Sequence, residues 1–75
     1  MSEDEFKIAR FIVFCLEAFK TTWEMSGSET EELFEKYGVV DYLEEGYDLL
    51  HSLGEQALVA DIVTFLKVRG LTFPK

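Results

Sequence analysis

The sequence predicts an all-α fold, a compact bundle of four helices with a long central N-terminal helix. Three observations predict it. Apolar residues recur at three- and four-residue intervals along most of the chain. Gly27, Gly38, Gly54 and Gly70 punctuate that pattern where helices are expected to stop. Acidic residues open the periodic segments and basic ones tend to close them, as the helix dipole favours. No segment carries a strand signal of comparable strength, and no repeat, linker or low-complexity stretch interrupts the 75 residues. Residues 1–75 are expected to form one domain.

The first helix is predicted from about Glu3 to Met25, opened by a capping box of Ser2 with Glu5 and stopped by Gly27. At roughly 100° per residue, Ile8, Ile12, Cys15, Leu16, Phe19 and Trp23 share one stripe. Phe11 and Phe14 lie to one side of it, and Phe6 and Val13 to the other. Phe14 is the outlier, because Lys7, Arg10 and Thr21 share its sector. The apolar arc is wider than one buried face needs. Either this helix is central and covered from several sides, or part of it awaits a partner.

A second capping box, Ser28 with Glu31, is expected to open a short second helix with Thr30, Leu33, Phe34 and Tyr37 inward. Gly38 ends it after Lys36. The third helix begins near Val39 to Asp41, with Val40, Leu43, Tyr47 and Leu50 as its seam and Val39, Leu49 and Leu53 widening it. Gly46 falls inside, either for close packing or as a break between two shorter helices. After Gly54 the fourth helix is predicted from about Glu55 to Arg69, burying Leu58, Val59, Ile62, Phe65 and Leu66 and stopping at Gly70. The tail, with Phe73 before Pro74, either docks as an extended segment or frays.

Composition bounds the function. A chain this short is near the size at which one core is only just sufficient. It compensates with 48% hydrophobic residues, seven Phe, three Tyr and one Trp. Fifteen acids against seven bases give a formal charge of −8. Nucleic-acid binding needs a basic footprint, and the bases are scattered singly, so no nucleic-acid partner is expected. One cysteine excludes an intramolecular disulfide, and a reducing, cytoplasmic setting is the default. The acidic N-terminus, MSEDEF, is unlike a signal peptide. The longest apolar run, Phe11 to Leu16, is too short to span a bilayer, so no membrane association is expected.

Catalytic chemistry finds little to work with. His51 is the single histidine, and neither Asp48 nor Glu55 completes a known constellation with it. Cys15 sits in an apolar run rather than the electropositive, partly open site that a thiolate needs. One Cys and one His do not build a zinc site, and the acids lack EF-hand spacing. No catalytic, metal-binding or cofactor-binding residue is assigned, no cofactor is expected, and the chain is read as a non-enzyme. The two helices around Gly38 have helix-turn-helix punctuation, but a recognition helix presents Arg, Lys, Asn or Gln to bases. Here it would present Asp41, Glu44, Glu45 and Asp48, so a DNA-associated regulator is the weaker alternative.

Binding another protein is the leading expectation, with a homo-oligomeric structural domain as the alternative. Tyr42 and Tyr47 cannot both lie on the central seam, and aromatics among acids are typical of interfaces. They suit equally the edge of a core, with only their hydroxyl tips in water. The candidate partner-binding residues are Phe14, Tyr42, Tyr47, Glu44 and Glu45.

The run KYGVVDYLEEGYDLLHSLG, Lys36 to Gly54, preceded by FIVFCLEAF, resembles a family of short bacterial proteins classified only as a domain of unknown function. The resemblance covers nearly the whole chain and rests on structural residues. Members of that family are often encoded beside proteins similar to ADP-ribosyltransferase toxins. The resemblance thereby implies an acidic antitoxin-like or accessory partner of a toxin-like protein, and it carries over no functional residue.

Overall fold

A computed structural model of the chain describes residues 2–71, which form five α-helices in an all-α bundle. They are α1 (Glu3–Trp23), α2 (Gly27–Lys36), α3 (Val39–Glu45), α4 (Tyr47–Leu50) and α5 (Glu55–Val68). The long N-terminal helix, 21 residues, spans about 31 Å at 1.5 Å per residue and accounts for most of the 39 Å long dimension. It packs against α2, α3 and α5, so it is the central element.

The Ser2–Glu5 capping box forms as expected, each side chain bonding the other's backbone N–H. The helix ends earlier than predicted, and not at Gly27. Glu24 takes the left-handed conformation (φ 52°), its N–H donates to Thr21 O, and Met25 N–H donates to Lys20 O at 3.0 Å. That is a Schellman closure without glycine. Gly27 is instead the first residue of α2. The second capping box shifts with it: Ser26 and Glu29 make it, in place of Ser28 and Glu31. Two overlapping Ser-x-x-Glu frames exist here, and the earlier end of α1 selects the first. Thr30 is thereby buried, with its hydroxyl satisfied by Ser26 O at 2.9 Å.

The core gathers Phe11, Cys15, Ala18 and Phe19 from α1, Phe34 from α2, Val39 and Leu43 from α3, Leu50 from α4, and Leu58, Val59, Ile62 and Leu66 from α5. Phe19 meets Phe34 edge-on, ring centroids 5.4 Å apart. The buried face of α1 is turned roughly 60° from the predicted stripe, toward Phe11. At Phe11 that flank is covered by Tyr47, whose ring meets it edge-on at 5.3 Å. Ile8, Ile12 and Leu16, expected at the stripe, are consequently only half-buried.

The expected third helix is two. Gly46 caps α3 and starts α4, with Gly46 N–H on Tyr42 O and Leu50 N–H on Gly46 O. A Cβ at Gly46 would lie 2.8 Å from Leu50 Cδ1 and 3.3 Å from Tyr42 O, so close packing and break occur together. Past the break, Leu50 turns inward, whereas Leu49 is 81% exposed and Leu53 is also exposed. These two do not widen the seam, because the change of axis at Gly46 ends the register they were read in. Gly70, at φ 98°, closes α5 through Leu71 N–H on Leu66 O. The reading of Phe73 and Pro74 lies outside the described residues.

Glycine substitutions separate these roles. Gly38, at φ 72°, reverses the chain between α2 and α3, and Gly38→Ala is expected to destabilise the fold by about 1–2 kcal/mol. Gly46→Ala is expected to cost about 1–3 kcal/mol by overpacking on Leu50. Gly27→Ala, in open space on the first turn of α2, is expected to stabilise by about 0.4–1 kcal/mol. Urea denaturation of the three variants measures all of this; a loss at Gly27 like that at Gly38 would restore Gly27 as a helix stop.

Candidate partner-binding surface

Three large apolar side chains of α1 face outward, away from the core. Phe6 is 53% exposed, Val13 57% and Phe14 46%. Phe6, Ala9 and Val13 follow one another at three- and four-residue spacing and form a strip with Arg10, whose guanidinium lies over the Phe6 ring at 5.7 Å. Phe14 stands apart, in the sector of Lys7 and Arg10.

Neither tyrosine is free to join that strip. Tyr42 is half-buried, stacked on Phe65 of α5 with centroids 4.2 Å apart, and its hydroxyl donates to Asp61 Oδ2 at 2.5 Å. Arg69 covers the other partner of that stack, its guanidinium 4.2 Å from the Phe65 ring centre. Tyr47 is half-buried between Phe11 and His51. Both rings lie at the edge of the core and fasten α3 and α4 to their neighbours. Glu44 and Glu45 are exposed near the end of α3. The candidate residues therefore fall on separate faces: Phe14 is roughly 160° round α1 from Ile12, beside which Glu44 lies.

Elsewhere, His51 and Cys15 have structural surroundings. His51 stacks on Tyr47 at 4.5 Å, and its Nδ1 bonds Tyr47 O at 2.6 Å, completing the C-terminus of α4. Cys15 is 1% exposed, and burial pushes its thiol up from 9.0 to about 12. Among the described residues, no group of three or more His, Cys, Asp or Glu side chains is placed to hold a metal ion. No described helix is long and apolar enough to cross a membrane.

The hydrogen bond to Asp61, with burial and the carboxylate's charge, raises the Tyr42 hydroxyl from 10.0 to about 12. Because its folded value exceeds the unfolded one, this contribution is complete below pH 10 and fades as pH rises toward 12. Tyr42→Phe is accordingly expected to be less stable than the parent at neutral pH, with a gap that narrows between those values; a gap unchanged across that range in denaturant titrations would refute the bond's role. Cys15 is expected to resist iodoacetamide in the native protein and to react once urea unfolds it, as mass spectrometry would record. Rapid native labelling would mean that the core opens around it.

Comparison with known proteins adds no relative of assigned activity. No curated protein and no solved structure matches the chain. A family model does match, across residues 10–69, from the outward Arg10 of α1 to the end of α5, and so takes in the whole bundle apart from the first turns of α1. The chain belongs to the family described as Protein of unknown function (DUF3791).

Proposed function

We propose that this chain is a non-catalytic protein-binding domain. One observation carries the reading: the outward face of the central helix presents Phe6, Ala9 and Val13 as a contiguous apolar strip on an otherwise strongly acidic molecule. Single exposed apolar residues are ordinary, but a row of them along a helix whose opposite face is already buried is what a partner covers. A histidine engaged by backbone and a thiol buried in the core are in keeping with a binding role. The finer reading is an acidic, cytoplasmic, antitoxin-like or accessory partner of a toxin-like protein, which the sequence resemblance suggests.

Self-association is the second reading, favoured by the spacing of the strip. Phe6, Ala9 and Val13 succeed one another at three and four residues, the pattern by which two identical helices pair. A tagged pull-down from lysate of the parent organism, with Val13→Asp and Phe14→Asp as parallel baits, separates the readings. A protein partner recovered at stoichiometric yield and lost with Val13→Asp, while circular dichroism is unchanged, is the expected result. Bait alone with a monomeric solution mass would refute the protein-binding reading; bait alone with a dimeric mass would transfer the strip to self-association.

A further inference from the structure

We propose that the seam between α1 and α3 docks a basic amphipathic helix of a partner protein, its apolar side chains on Ile8, Ile12, Leu16 and Val40 and its lysines or arginines on the acids alongside. This rests on the protein-binding reading and names the partner's chemistry.

Two hollows lie along the seam. Leu16, Phe34 and Val40 floor one of about 380 Å³, rimmed by Glu31, Glu35 and Asp41. Ile8, Ala9 and Ile12 floor the other, of about 200 Å³, between Glu5 and Glu44. Going from the second hollow to the first, α1 advances from Ile8 to Leu16 while α3 runs back from Glu44 to Val40. The hollows are therefore consecutive stretches of one trough between antiparallel helices. Ile8, Ile12 and Leu16 repeat every four residues over about 12 Å, a little more than two helical turns. The trough exists because the core face of α1 is turned toward Phe11, which leaves this flank half-covered. Ala9 joins it to the outer strip, so the apolar surface is continuous.

Charge selects the occupant. All the ionisable residues lining the two hollows are acids, and no base is among them. Neither ion pair seen among the described residues, Lys7–Glu3 or Lys20–Glu17, touches this rim. Acids along both walls of an apolar floor create a negative field that a cationic side chain relieves and an anionic one intensifies. A second copy, itself at −8, would be repelled, as would a nucleic acid. An uncharged apolar helix would desolvate the acids without answering them. A helix with an apolar stripe between rows of Lys or Arg satisfies both the floor and the walls, by the helix-in-groove mode.

The test titrates the full chain, followed by amide NMR, with a leucine–lysine amphipathic peptide and with the same peptide carrying glutamate for lysine. The lysine peptide is expected to shift residues 8–16 and 40–44, and the glutamate peptide is not expected to bind. Glu35→Lys with Glu44→Lys, one in each hollow and both at helix C-termini where a positive charge is tolerated, is expected to weaken binding about tenfold. Glu32→Lys with Glu45→Lys makes the same charge change on the same helices outside the trough and is expected to weaken it about twofold, by the overall field alone. Equal weakening by both pairs, shifts confined to other surfaces, or no binding of the lysine peptide would overturn the proposal. Seam shifts appearing on simple dilution would also overturn it, by assigning the trough to a second copy. If the seam fails while the pull-down still yields a partner sensitive to Val13→Asp, the binding module stands and only its docking site is wrong.

Discussion

Phe19 against Phe34 is the contact on which the rest of this fold depends. Both rings are wholly buried, and each such side chain removed from water contributes about 1.5–3 kcal/mol. In a core of this size, that is a large share of the margin. The pair fixes α2 on α1, and α2 in turn delivers Gly38 and α3 to the flank of α1. The position of every surface feature along that flank follows from this arrangement.

A small core cannot cover a 21-residue helix all the way round. Four short helices share the task, and they concentrate on the side where Phe11, Cys15, Ala18 and Phe19 lie. The uncovered remainder divides by chemistry. On the outer face, Phe6 and Val13 lie near Arg10; on the α3 side, half-buried aliphatics are walled by carboxylates. The acidity that helps keep such a molecule from associating indiscriminately also gives its apolar surface a charge preference.

Much of the fold was legible in the sequence because helical periodicity is a local property. The bundle, the central first helix, the inward faces of α2 and α5 and the helix stop at Gly38 follow from spacing and caps. What was not legible depended on contacts between distant residues. The burial of Phe11 on α1 comes with Tyr47 meeting it, a pairing no window of neighbouring residues contains. The choice between two Ser-x-x-Glu frames depended on Glu24 accepting a left-handed conformation usually left to glycine. The break at Gly46 depended on Leu50 folding back over it. For the surface, the exposure of Phe14 was readable from its charged neighbours. The Tyr42 and Tyr47 environments were not, since Asp61, Phe65 and Phe11 supply them from other helices. The trough was not legible for the same reason: its floor and rim are assembled from α1, α2 and α3, beyond the reach of any local pattern.

The single turn of α4 has a consequence for the life of the chain. It has four residues, no side-chain cap closes its start, and residues 51–57 after it are exposed. Little apolar burial beyond Leu50 and the Tyr47 ring holds this stretch in place, so local opening there needs far less free energy than unfolding α1. Among the described residues, a protease would find an accessible stretch between Gly46 and Glu55. Cleavage there would sever α5, and with it Leu58, Ile62 and Leu66, from the remaining core. The same short connection that lets the chain turn two corners is thus also a place where a single cut divides the core.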